Sequence, residues 1–566
     1  MLRRFSKYVF ASIILACSLT LVGCAREAAV RKPPAITIPE PLDIALEDVM
    51  VCVTIPDVGT ALEHMEAIAA EFAPPGEFQP GMLKMQLGTV LGDSGLIHLD
   101  AAMPLVLMVF KPDAPMEPPA VAGFMTHNEE APYSEALTNM GMQHKVNDGV
   151  LTLAQTPEAL AKAETAVSAY RQIAAAQIKN DLRVTLHMDR VMDTYGEFVR
   201  WQLEQVAGMM AFFPPPTEPG VPGPETFAQT AKIMKLLVKG LFAFYEQLDI
   251  IQCDVNLGAD AIEFDEIVAA KAGSTLAESL SARPVGRNRA LGLLSGPGLM
   301  MWTSNESQKE SSAFLIQILD QLSEDPDATD LLTPELVSVF TDWSDCYTGE
   351  AAMTMRHLEG ATFVSETVMG VKNEAKCLEL TEKSMSVFGP DSAFGKIFAD
   401  MGMEISFAIE KEARNHAGVS VHRLKTTFDM KNVPEMQAAQ MEAMIPDQEF
   451  AIAEGYYLES QDPAGLDRMI DRALTGAPSG GVTLQAMQTF GREHSVYFDF
   501  DLIAMMKASM EMVPAGVPNP MAGLLGGVTS SEPIVAAASS ADGRARIQVR
   551  IPLSPFIQMA QRAQTM

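Results

Sequence analysis

Ala541-Asp542-Gly543-Arg544-Ala545-Arg546-Ile547-Gln548-Val549-Arg550-Ile551 reads as a tight turn feeding a β-strand. Aspartate and glycine tolerate the positive φ that a two-residue hairpin turn requires. From Arg544 onward polar and apolar residues alternate, which gives a strand one wet face and one dry face. The same unit, two β-rich segments around a Gly/Asp-rich turn, recurs at Asn147-Asp148-Gly149, Gly258-Ala259-Asp260, Leu358-Glu359-Gly360 and His416-Ala417-Gly418. A helical pattern often follows it.

Two other units repeat. In the first, a strand exits through aspartate into a helix. Val51–Ile55 leads through Asp57 into an apolar-periodic helix over Val58–Phe72, Leu182–Met188 leads through Asp189, and Val496–Phe500 leads through Asp501. The aspartate accepts hydrogen bonds from the free N–H groups of the helix start. In the second, a single strand runs through a polar turn into a helix. Ala120–Met125 leads to Pro132–Met140, and Phe450–Tyr457 leads to Pro463–Leu474. Because these units fall in both halves, the expected class is α+β and duplicated: antiparallel sheets built from strand–helix and hairpin–helix units, with helices packed on them. Amphipathic patterns over 190–213 and 226–248 predict two long helices joined by the proline-rich stretch Pro214–Pro224. The boundary between halves is expected near Arg283-Pro284, giving bodies of 46–285 and 286–566, with a weaker joint at Val513–Gly527.

The chain has 566 residues, 48% of them apolar, enough for sizeable cores and for more than one domain-sized body. Its net charge is −31. Phosphate backbones repel such a body, so nucleic acid is not an expected partner.

The N-terminus reads differently. Arg3, Arg4 and Lys7 precede an apolar run from Tyr8 to Leu19, then Leu21-Val22-Gly23-Cys24. The run is shorter than the ~20 residues of a membrane-spanning helix. This stretch resembles the lipobox signal of bacterial lipoproteins. The resemblance implies cleavage between Gly23 and Cys24, a signal peptide over 1–23, and an acylated Cys24 (palmitate among its chains) that holds the protein to a bilayer. Ala25, in place of aspartate, leans towards the outer rather than the inner membrane. Removal of the signal leaves 38 basic against 72 acidic residues, a net charge of −34. Prolines in 24–45 suggest a stiff tether.

Met103–Lys111, Pro118–Met140 and Val146–Ala166, with Asn147-Asp148-Gly149-Val150-Leu151-Thr152-Leu153-Ala154 and Pro157-Glu158-Ala159-Leu160, resemble the strand–helix–hairpin–helix segment of large secreted bacterial proteins of unknown function. That likeness implies export and fold only.

Four cysteines remain in the mature body: Cys52, Cys253, Cys346 and Cys377. Four allow three pairings. Cys52–Cys253 and Cys346–Cys377 are the natural disulfides, and buried free thiols are the alternative. No catalytic constellation stands out. Gly92-Asp93-Ser94-Gly95 matches the core of a trypsin-like nucleophile motif but reads as a turn. Gly292–Gly298 lacks nucleophile-elbow spacing and reads as a flexible joint. Asp325, Asp327, Thr329, Asp330 and Glu335 depart from calcium-loop spacing. His187 and His422 sit in strands, and Met436, Met441 and Met444 read as helix core. Neither a metal nor a cofactor is expected. The expected function is a non-enzymatic binding or scaffold lipoprotein of the periplasm or cell envelope, with an unknown envelope protein or ligand as partner. The alternatives are a hydrolase with dispersed residues and a carrier of hydrophobic ligands.

Overall fold

The computed structural model describes residues 38–565, apart from 43–45, 75, 94, 115–116, 127–129, 177, 213–223, 282–287, 307–311, 326–327, 329–331, 359–361, 391, 393–394, 397–402, 431–446, 477–481, 512–519 and 530–531. The signal segment, Met436, Met441, Met444 and, of the acidic loop, Asp327, Thr329 and Asp330 therefore lie outside the described residues.

The first arm runs β1 (Val49–Ile55), α1 (Val58–Phe72), α2 (Met82–Leu91), β2 (Leu105–Phe110), β3 (Ala120–Thr126), α3 (Glu130–Asn139), β4 (Gln143–Asn147), β5 (Val150–Ala154), α4 (Pro157–Thr165), α5 (Val167–Ala175), β6 (Leu182–His187), α6 (Met188–Phe212), α7 (Pro224–Tyr245), β7 (Leu248–Leu257), β8 (Ala261–Ala270) and α8 (Thr275–Ser279). The second runs α9 (Ala290–Leu293), β9 (Met300–Asn305), α10 (Ala313–Ser323), α11 (Pro334–Cys346), β10 (Tyr347–Leu358), β11 (Thr362–Val371), α12 (Glu374–Phe388), β12 (Met403–His416), β13 (Val419–Met430), β14 (Gln448–Ala453), β15 (Tyr456–Ser460), α13 (Pro463–Thr475), α14 (Gln485–Thr489), β16 (Val496–Phe500), α15 (Leu502–Glu511), α16 (Pro520–Leu525), β17 (Ile534–Ala541), β18 (Arg544–Pro552) and α17 (Ser554–Ala563).

All the strands join one antiparallel sheet. Hydrogen-bonded neighbours in the first arm run β4-β5-β3-β2-β1-β6-β7-β8. In the second they run β14-β15-β11-β10-β9-β16-β17-β18, with the hairpin β12–β13 added beyond β14. The two orders are the same, strand for strand, so the fold is a duplication with one inserted hairpin. The arms meet through β8 and β18, the last strand of each, paired from Ala261↔Pro552 to Arg544↔Ala269 with Asp265↔Gln548 at the middle. A pseudo-twofold axis therefore passes near Asp265 and Gln548. The repeat extends to caps: α4 starts Thr156-Pro157 and α13 starts Asp462-Pro463, each with a side-chain cap and proline in the first turn.

Among the described residues, four hairpins turn on two successive positive-φ residues: Asp148-Gly149, Ala417-Gly418, Glu454-Gly455 and Asp542-Gly543. Glu454-Gly455 corrects the sequence reading. Phe450–Tyr457 is not one strand but the hairpin β14–β15, the counterpart of β4–β5 rather than of β3. Without Asn or Asp at its first position the turn carries a weaker signal.

Helices cover both faces of each arm. In the first arm α4 and α5 pack on the face that carries Cys52, Val106, Met108 and Phe124, called the front, and α1–α3 pack on the back with Leu105, Leu151 and Leu153. In the second, α9, α13 and α14 cover the front, and α11 and α12 cover the back. Asp57 and Asp501 cap α1 and α15 as expected. Asp189 does not cap, because α6 starts one residue earlier.

Two further expectations are corrected. Gly292–Gly298 is a packed joint rather than a flexible one. Leu294 is fully buried, Ser295 N–H donates to Glu366 at 2.8 Å, and the Arg472 guanidinium holds the Leu294 and Ser295 carbonyls. The distal end of the 24–45 tether is also docked. Ile38 is buried, Leu42 N–H donates to Gln252 Oε1 at 2.9 Å, and Arg544 holds Glu40 at 2.7 Å.

Candidate functional site

The central strands reverse the ordinary sense of alternation. On their front face, polar side chains are buried: Thr54, Thr185 and Gln252 are 2–3% exposed and Asp254 is 8% exposed. Ion pairs make this possible. Arg183 grips Asp254 through bonds of 2.6 and 2.7 Å, and Arg546 grips Asp265 through bonds of 2.8 and 2.5 Å. A paired, hydrogen-bonded charge can leave water where a single one cannot.

The back face of the same strands is apolar and only half-buried. Cross-strand partners put Leu182, Val255, Phe264, Val549, Ala536, Phe498, Trp302 and Met353 in one row across eight strands. Every one of them keeps partial exposure. At usual strand spacing the row is about 34 Å long. A parallel row holds Val53, Val184, Cys253, Glu266, Ile547, Ala538 and Val496, again half-buried throughout. The helix α6 lies against β1, β6 and β7, α1 also meets β7, and α8 lies against β8. By contrast α14 meets β16 and β17 from the front, with Tyr497 and Ala537. An apolar face of this extent, left partly open, marks a binding surface more often than a solvent face.

Two polar groups punctuate it. Burial, with no compensating hydrogen bond among the described residues, pushes the Glu266 carboxyl above the ordinary glutamate range. The indole N–H of Trp302 is buried and has no hydrogen-bond partner among the described residues. Cys253 lies across from Glu266, and burial followed by the charges of Glu266, Asp254 and Asp265 pushes its thiol up. It therefore stays protonated and is a poor nucleophile.

The expected cysteine pairs fare differently. Cys52 pairs across strands with Thr185, whereas Cys253 pairs with Val184. They point to opposite faces of the sheet and cannot bridge. Burial pushes the Cys52 thiol up to about 11. Cys346 and Cys377, also present as thiols, lie together in one core cluster behind β10. Gly23 and Cys24 lie outside the described residues.

Other sequence candidates are structural. Asp93 is buried and accepts from the N–H groups of Ile97, His98 and Leu99 at 2.9–3.0 Å, which explains the Gly92–Gly95 turn. His422 stacks on Phe450 at 5.0 Å. Among the described residues, two Ser–His hydrogen bonds occur: Ser539 to His494 at 2.8 Å and Ser134 to His144 at 2.6 Å. Ser539 is 2% exposed, and among the described residues no carboxylate hydrogen-bonds either imidazole. Neither pair is arranged as a nucleophile–base–orienter set. A cleft of about 520 Å³ between α10 and α11 is lined by Gln317, Asp320, Glu324, Thr341, Ser344 and Asp345, and the Ser344 hydroxyl donates to the Thr341 carbonyl at 2.8 Å. No group of three metal-ligating side chains occurs among the described residues.

No family model, curated protein or solved structure matches this chain.

Proposed function

We propose that this chain is a lipoprotein of the bacterial envelope, anchored through acylated Cys24, whose body is a non-enzymatic binding protein for an elongated apolar ligand of the lipid or acyl-chain class. The observation that carries the reading is the half-buried row from Leu182 to Met353 on the back of the central sheet. Each square ångström of apolar surface still facing water forfeits about 25 cal/mol, and a long apolar ligand laid along the row recovers it. The row's length of about 34 Å suits an extended chain rather than a compact ring. Glu266, beside the row, favours a ligand end that donates a hydrogen bond or carries positive charge.

The test uses full-length protein extracted from membranes. Organic extraction and mass spectrometry are expected to release a stoichiometric lipid beyond the anchor. A fluorescent polyene alcohol is expected to bind wild type, and to bind the double variant Phe498→Glu, Val549→Glu about tenfold or more weakly, because each carboxylate would be buried beside the chain. No binding to wild type, or equal binding to both, overturns the reading.

A further inference from the structure

Cys346 ends α11, and Cys377 lies in the first turn of α12. Between them β10 and β11 run out and back, so that Tyr347 pairs with Val371. The return brings the two cysteines together. Lys372 N–H donates to the Cys346 carbonyl at 2.8 Å. The Asn373 carbonyl then accepts from Cys377 N–H at 3.0 Å and from the Cys346 thiol at 3.8 Å. The Cys377 thiol reaches the Tyr347 hydroxyl at 3.8 Å, and the two thiols lie close enough to shift each other's ionisation. Both side chains are buried, in a cluster with Leu380, Phe450 and Tyr457.

We propose that Cys346 and Cys377 form a dithiol–disulfide couple that, when oxidised, ties the end of α11 to the start of α12 across the base of the β10–β11 hairpin. A small disulfide such as oxidised glutathione supplies the oxidising equivalents. Cys346, as thiolate, attacks one glutathione sulfur and expels the other as a thiolate. Cys377 then attacks the mixed disulfide at Cys346 and expels the second glutathione. Both cysteine protons pass to solvent, and the two electrons end on the two glutathione thiols. The order of attack follows from the surroundings. The neighbouring Cys377 thiol, with Lys372 and Lys376 nearby, holds the Cys346 thiol below the usual range, whereas the Cys346 sulfur and burial hold Cys377 high. Because both sulfurs are covered, exchange proceeds through local opening of the α11–α12 junction. Persistence of the bond in the cell rests on the export reading above.

The test separates the couple from the compartment. Purified full-length protein is equilibrated in glutathione buffers from reducing to oxidising, quenched in acid, alkylated in denaturant and digested. The peptides holding Cys346 and Cys377 are expected to convert together into one cross-linked species lighter by two hydrogens, while Cys52 and Cys253 remain alkylated. The oxidised protein is expected to melt at a higher temperature, and Cys346→Ser is expected to remove the cross-link alone. The couple is overturned if both cysteines stay alkylated in the most oxidising buffer, even with urea below the unfolding midpoint. A cross-link to Cys52 or Cys253, or glutathione adducts without a cross-link, also overturns it. If the purified protein oxidises but protein trapped in acid directly from cells is fully reduced, the couple stands and the export reading fails.

Discussion

Arg183 and Asp254 face each other across β6 and β7 and share two bonds, 2.6 and 2.7 Å long, with side chains 17% and 11% exposed. On the neighbouring strands Arg546 and Asp265 repeat the arrangement at 29% and 27% exposure. The two pairs close a polar sheet face that would otherwise need water.

Removing one member of the more buried pair strands its partner. Asp254→Ala is expected to destabilise the fold by about 2–4 kcal/mol, and Asp265→Ala by about 1–2 kcal/mol, because water screens the second pair more. Urea denaturation reads both. Equal losses would show that burial does not set the cost.

Glu266 makes stability depend on pH with a definite sign. Its folded carboxyl holds a proton to higher pH than in the unfolded chain. That contribution is therefore full below the ordinary glutamate value and is lost as pH rises through the folded value. Glu266→Gln is expected to raise the urea midpoint in neutral buffer and to leave it unchanged in acid. A variant less stable at neutral pH would mean that the carboxylate has a partner.

Gly298 sits against the Thr354 side chain and the Met355 carbonyl, where an added methyl group would collide with both. Gly298→Ala is expected to cost about 1–3 kcal/mol. An unchanged melting temperature would restore the flexible-joint reading of 292–298.

The anchor has its own check. Cys24→Ser is expected to abolish incorporation of labelled palmitate and to move the protein from the membrane to the soluble fraction. Unaltered labelling and fractionation would place the lipid, and the cleavage, elsewhere.

Much of the architecture was legible as local chemistry. Asn147-Asp148-Gly149 and Ala541-Asp542-Gly543 read as tight turns because so few residues accept positive φ, and the structure has both. The helix after Asp57 was legible from its cap and its apolar period. Glu454-Gly455 was not, since glutamate seldom takes that conformation. The strand-for-strand match between arms was hidden as well, because it resides in hydrogen-bond order rather than in residue identity.

By itself, the sequence determined where the chain turns, which segments alternate, and that a lipobox-like run precedes an acidic body. Which side of the alternation would be covered depended on the assembled sheet. In Leu182-Arg183-Val184-Thr185, pattern alone puts leucine and valine inside, yet Thr185 is the buried residue and Leu182 and Val184 stay half-open. The physical reason is that a strand's own residues specify two faces, whereas Asp254, Asp265 and Arg546, distant in sequence, supply the ion pairs that let the polar face be the buried one.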